Sequence, residues 1–120
     1  MNTPQPETVS WHDASPLARG LAEVFENASS AGDIDACEAA TTFLGMIASR
    51  DRETSRVVAS WLVEHDEPDL RLRAALLLRE YVRTDFELAL EIHARLMSDA
   101  DSDVAFEASE AARLGLRPRS

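Results

Sequence analysis

The chain has 120 residues, which suits one domain, and 45% of them are hydrophobic, enough to build a core. Four glycines and five prolines are too few for a β-sandwich or for long low-complexity tracts. All twelve basic residues are arginine and the net charge is −10, so direct nucleic-acid binding is disfavoured and a protein partner with a basic patch is favoured.

Residues 1–14 read as a flexible arm with Trp11 as a candidate anchor; they carry neither a basic start nor an apolar run, so no signal peptide is expected. No later window approaches the roughly 18 apolar residues of a membrane span. A cytoplasmic location is the expectation, with no membrane partner. Cys37 is the one cysteine, so no intrachain disulfide is expected, and its apolar setting reads as a buried thiol.

From residue 15 the chain becomes periodic. Ser15-Pro16 is a helix cap followed by proline at the first helical position. Leu17, Leu21, Val24, Phe25 and Ala28 then fall on one helical face. Further on, Asp35, Asp69 and Asp103 recur every 34 residues, each opening an Ala- or Leu-rich run. Ala40, Ala74 and Ala108 share a position in that register; so do Val24, Val58 and Ile92. The spacing predicts first helices near 16–28, 52–65 and 85–98, and second helices near 35–48, 69–83 and 103–115. Thr84-x-x-Glu87 reads as a capping box, and Asp35-x-x-Glu38 as a relative of one. A single helical domain over 15–116 and a tail over 117–120 follow, because Pro118 cannot continue a helix.

The stretch DEPDLRLRAALLLREY resembles a HEAT-like repeat: an acidic turn, a hydrophobic-Arg pair, then an Ala-rich second helix. DADSDVAFEASEAARLG is similar, with Ala105 and Glu107 where Arg71 and Arg73 stood, and AGDIDACEAATTFLG keeps only the Asp and the small apolar positions. The resemblance implies an all-α fold: a right-handed α-solenoid of about three antiparallel helix pairs, six helices in all. It also implies protein binding, often through an inner face made by the second helices.

Two surfaces are candidates for that role. Arg71, Arg73, Arg79, Arg83, Arg113 and Arg117 fall on the second helices, where the planar guanidinium suits an interface and equally suits a solvated face. Asp33, Asp35, Asp66, Glu67, Asp69, Asp99, Asp101 and Asp103 lie between first and second helices. There they act as caps, or form an acidic edge that imitates a phosphate backbone. The expected function is a small interaction module, either an inhibitor, an immunity-type protein or an adaptor. The alternative is a nucleic-acid-mimicking inhibitor of a DNA- or RNA-binding protein. Ala105, Ala108, Ala111 and Ala112 leave room for close packing of a second copy, so a homodimer is open.

No enzymatic activity, cofactor or metal is expected. Asp99, Asp101, Asp103 and Glu110 have the spacing of a calcium loop, but Val104 stands where such a loop needs glycine. His12, His65 and His93 show no metal spacing. Trp61 and Tyr81 lack the basic neighbours of a base-stacking surface and read as core.

Overall fold

A computed structural model of the chain describes residues 14–115. Trp11 and nearly all of the expected N-terminal arm, Arg117 and the tail over 117–120 lie outside the described residues. Within them the fold is all-helical: α1 (Pro16–Ala31), α2 (Ile34–Ile47), α3 (Arg52–Glu64), α4 (Pro68–Thr84), α5 (Phe86–Leu96) and α6 (Ser102–Gly115), with no strand. The six expected helices are therefore present, displaced by a few residues at their ends.

The helix starts follow from local chemistry. The side chains of Ser15, Asp33, Asp51 and Asp85 each accept from the backbone amide three residues on, satisfying a donor that the helix itself cannot. α1 stops at Gly32, whose φ of 69° is the left-handed turn that glycine enters without strain. The Asp33 amide then bonds the Ala28 carbonyl at 2.9 Å.

Three expectations are corrected here. The second helices do not open on Asp35, Asp69 and Asp103. Asp33 caps α2, Glu67 precedes α4 with no side-chain cap, and Asp101 accepts from the amides of Asp103 and Val104. Each turn holds two acids two residues apart, and the chain uses the earlier one; in α4, Pro68 occupies the first helical position and leaves residue 67 as the cap. The later Asp then sits in the first turn, where the helix dipole still favours it. Thr84 is not a cap either. Its hydroxyl donates to the Glu80 carbonyl inside α4, and Asp85 starts α5. Leu17 and Val24 are exposed rather than core; α1 buries Ala18, Leu21, Ala22, Phe25 and Ala28. α1 meets α2, α3 and α4 and no other described helix.

Packing is between neighbours. α1 pairs with α2, α3 with α4 and α5 with α6; α3 also packs on α1 and α5, while α4 packs on α2 and α6. Neither α1 nor α2 touches α5 or α6. α4, the longest helix, touches every other one. Its Leu70, Ala74, Ala75, Leu77, Leu78 and Tyr81 form the middle of one continuous core, with Phe25, Leu44, Val58, Leu62, Ile92 and Leu96 around them. Each fully buried Leu or Phe removes enough apolar surface to contribute about 1.5–3 kcal/mol. Tyr81 is buried as expected, and its hydroxyl lies 2.7 Å from Ser55 Oγ. Burial raises the Tyr81 pKa above the ordinary tyrosine range, with the Ser55 hydrogen bond opposing it. Cys37 is buried; Trp61 is half-buried, its ring edge on to His65 with centroids 5.0 Å apart.

Candidate protein-binding face

α2, α4 and α6 present their outer sides as three adjacent stripes. On α4 the stripe is Leu72, Leu76, Arg79 and Arg83, spaced four, three and four residues as one helical face requires. Thr42 and Met46 lie on α2, and Phe106, Glu110 and Arg113 on α6. Met46 and Phe106 are large, apolar and exposed. Between α2 and α4 runs a groove of about 300 Å³ lined by Thr41, Thr42, Gly45, Met46, Leu76, Leu77 and Glu80. Gly45 forms part of its wall: a methyl group there would touch Leu77 Cδ2 and Glu80 Cγ at 3.4 Å. The missing side chain leaves that space open.

The arginines expected on this face divide into three kinds. Arg71 turns inward. Its Nε and Nη2 donate to Asp99 at 2.8 and 3.0 Å, and its Nη1 donates to the carbonyls of His65 and Asp66, both at 2.9 Å. It therefore staples the α3–α4 turn to the α5–α6 turn. The Arg71 guanidinium holds the Asp99 carboxyl below its usual range against the opposing effect of burial, and Asp99 raises Arg71 in return. Arg79, Arg83 and Arg113 are exposed and lightly held. Arg79 reaches Glu107 at 3.4 Å; Arg83 and Arg113 pair with Glu80 and Glu110 on their own helices at 2.7 and 3.0 Å. Such exposed pairs are worth about 0–1 kcal/mol, so a partner's carboxylate can replace them. Arg73 is half-buried and makes no ion pair among the described residues.

No family model, no curated protein and no solved structure matches the chain.

The acidic residues between the helices are likewise of more than one kind. Asp99 is consumed by Arg71, and Asp33 and Asp101 by helix capping. Asp35, Asp66, Glu67, Asp69 and Asp103 remain exposed along the turns. Asp99, Asp101 and Asp103 do not converge on one point, and no group of three or more His, Cys, Asp or Glu among the described residues is placed to hold a metal ion. His65 is not isolated: its Nε2 lies 2.9 Å from Glu26 and its Nδ1 accepts from the Glu67 amide. No described helix is long and apolar enough to cross a membrane.

Sequence reasoning missed the polar joints between helix pairs. Arg56 on α3 donates twice to Asp85 at 2.7 Å, and Arg52 stands 3.8 Å from the same carboxylate. Arg95 and Glu64 pair between α5 and α3. The signal available was the spacing itself. Arg56 and Asp85 are 29 residues apart, Arg71 and Asp99 are 28, so each pair links an arginine to a turn of the next helix pair.

Proposed function

We propose that the chain is a protein-interaction module built as a short α-solenoid of three stacked helix pairs with the right-handed course of HEAT-like repeats. The neighbour-only packing and the 34-residue register support the stacking. Its binding surface is the solvent-facing side of the second helices α2, α4 and α6, the inner face of such a stack. The observation that carries this is the groove between α2 and α4, lined by exposed Met46 and by Glu80, which pairs with exposed Arg83; the same helix α4 also carries exposed Arg79 and half-buried Arg73, the latter without an ion pair among the described residues. Apolar anchors beside arginines that can pair with new carboxylates are the composition of an interface centre. The net charge of −10 adds long-range attraction to a partner with a basic patch elsewhere on its surface. The reading assigns no catalytic step. An inhibitor, immunity-type or adaptor role fits, acting by blocking a partner through a preformed surface with little rearrangement.

The test is a titration of the partner, once captured and identified, against variants of this face. Leu76→Glu and Arg73→Glu are each expected to weaken binding about tenfold or more, about 1.4 kcal/mol, with helix content unchanged by circular dichroism. Unaltered affinity in both variants removes the second-helix face. A second reading, imitation of a nucleic-acid backbone, draws on the exposed Asp35, Asp66, Glu67, Asp69 and Asp103. It requires affinity that falls steeply with salt; a flat salt dependence rejects it.

A further inference from the structure

We propose that the groove between α2 and α4 takes one amphipathic helix of a partner protein, with a carboxylate over Arg73, apolar side chains in the middle and a cation over Glu80. This rests on the second-helix reading above and names what that face recognises. Arg73, Leu77 and Glu80 are spaced by four and three residues, so they form one row along α4. Leu77 and Glu80 line the groove opposite Gly45, and Arg73 continues their row one turn earlier. The row therefore offers a cation, an apolar surface and an anion over about 10 Å. Arg73 is half-buried and pairs with no described residue. The Glu80 carboxylate meets Arg83 of its own helix at 2.7 Å, an exposed type of pair that a new cation can replace. Met46, 68% exposed, and Leu76 add to the apolar lining.

Gly45 supplies an independent argument. It sits in the last turn of α2, with none of the positive φ that marks Gly32. A methyl group there would meet Leu77 Cδ2 and Glu80 Cγ at 3.4 Å, the near edge of ordinary contact, and both are side-chain atoms that can give. Alanine therefore fits, and it favours helix more than glycine does. Gly45 forgoes that stability and keeps depth: without a side chain the groove reaches the α2 backbone. An occupant that approaches this backbone closely needs that space. A helix suits it best. Among the described residues there is no strand, and the α2 and α4 backbones are bonded within their own helices, so an extended peptide finds no row of amides to pair with. A helix bonds its own backbone and buries only side chains. On one helical face the matching pattern is an acid, apolar residues three or four positions on, and a base at seven, read in either direction. The chain's charge of −10 limits such a helix to few acids and favours bases on its far side.

Selection from a displayed library of peptides of about 16 residues, long enough to hold a helix, with the full chain as bait, tests this. Enriched peptides are expected to share the acid, apolar and base pattern, and to lose binding when a central proline breaks the helix. In anisotropy titrations of the best peptide, Gly45→Ala and Arg73→Glu are each expected to raise the dissociation constant about tenfold or more. The Gly45→Ala protein is expected to hold or raise its urea midpoint. Arginine in place of the peptide's acid is expected to restore binding to Arg73→Glu. A merely structural role for Gly45 or Arg73 yields neither the opposite signs nor the charge exchange. Enrichment without the acid, a tolerated proline, unchanged affinity for Gly45→Ala or a failed exchange overturns the proposal, as does a library from which nothing is enriched. Methyl spectra separate this from the second-helix reading. Peptides of another pattern that shift Leu76 and Met46 overturn only the helix with its charges, whereas peptides that shift neither overturn the face as well. A free chain that dimerises, and stops doing so on Gly45→Ala, gives the groove to a second copy. A monomer whose Leu76 methyls are shielded from a soluble paramagnetic agent gives it to residues of the same chain outside 14–115. Both of these outcomes overturn the proposal.

Discussion

Arg56 and Asp85 form a two-pronged ion pair, with both bonds at 2.7 Å, and the Asp85 oxygen that meets Arg56 Nη2 also accepts from the Leu88 amide to start α5. One carboxylate thus serves a helix start and the joint between two helix pairs. Asp85→Ala removes both functions and is expected to lower stability by about 2 kcal/mol. Asp85→Asn keeps an acceptor for the cap and is expected to lose about half as much. Urea denaturation of the three proteins checks the order.

Arg71 and Arg73 are two residues apart on α4 and are expected to respond oppositely. Arg71→Ala leaves Asp99 and the carbonyls of His65 and Asp66 without their donor, and is expected to cost about 2–3 kcal/mol. Arg73→Ala breaks no ion pair among the described residues and is expected to stay within about 0.5 kcal/mol of the parent. Chemical denaturation of each variant measures this difference without any partner present.

Acid is expected to destabilise the fold through two named carboxyls. Arg56 holds Asp85 below the ordinary aspartate range, and Arg71 does the same for Asp99. In the unfolded chain both titrate near about pH 3.9. Above that pH their contribution is fully present. As pH falls below it, the unfolded chain takes up protons first, and the contribution is lost as pH drops through the lower folded values. Unfolding free energy measured between about pH 6 and 2 is expected to fall with a slope that Asp85→Asn with Asp99→Asn reduces. An unchanged slope would place the acid sensitivity on other carboxyls.

Ser55 and Tyr81 bridge α3 and α4 with one buried hydrogen bond of 2.7 Å. Tyr81→Phe strands the Ser55 hydroxyl and is expected to cost about 1–2 kcal/mol. Adding Ser55→Ala removes the stranded group, so the double variant is expected to be more stable than the sum of the single losses implies. Thermal or urea denaturation of the four proteins completes the cycle.

The six helices were legible because apolar spacing and capping residues recur at a constant interval. The caps were displaced by two positions because each turn offers two acids, and only Pro68 shows which one precedes the helix. Leu17 looked like core because it falls at helical spacing with Leu21, Phe25 and Ala28, and Val24 because its equivalents Val58 and Ile92 are core; α3 and α5 each pack on a preceding helix pair, and α1 has none among the described residues. The face of α4 was legible as a set of arginines but not as a set of roles. Two residues along a helix turn the side chain by about 200°, so Arg71 and Arg73 point to different surroundings, and composition does not reveal which one faces the next turn. The joints at Asp85 and Asp99 left no local trace, because their partners lie on another helix pair.

Because α4 lies against all five other helices, the molecule offers no seam along which to unzip. Many repeat arrays can fray from an end while their middle persists. Here every helix shares an interface with the same central rod, so loosening any pair also uncovers part of that rod. Heating is therefore expected to melt the whole array in one cooperative step, and cleavage within α4 to cost both halves their shape.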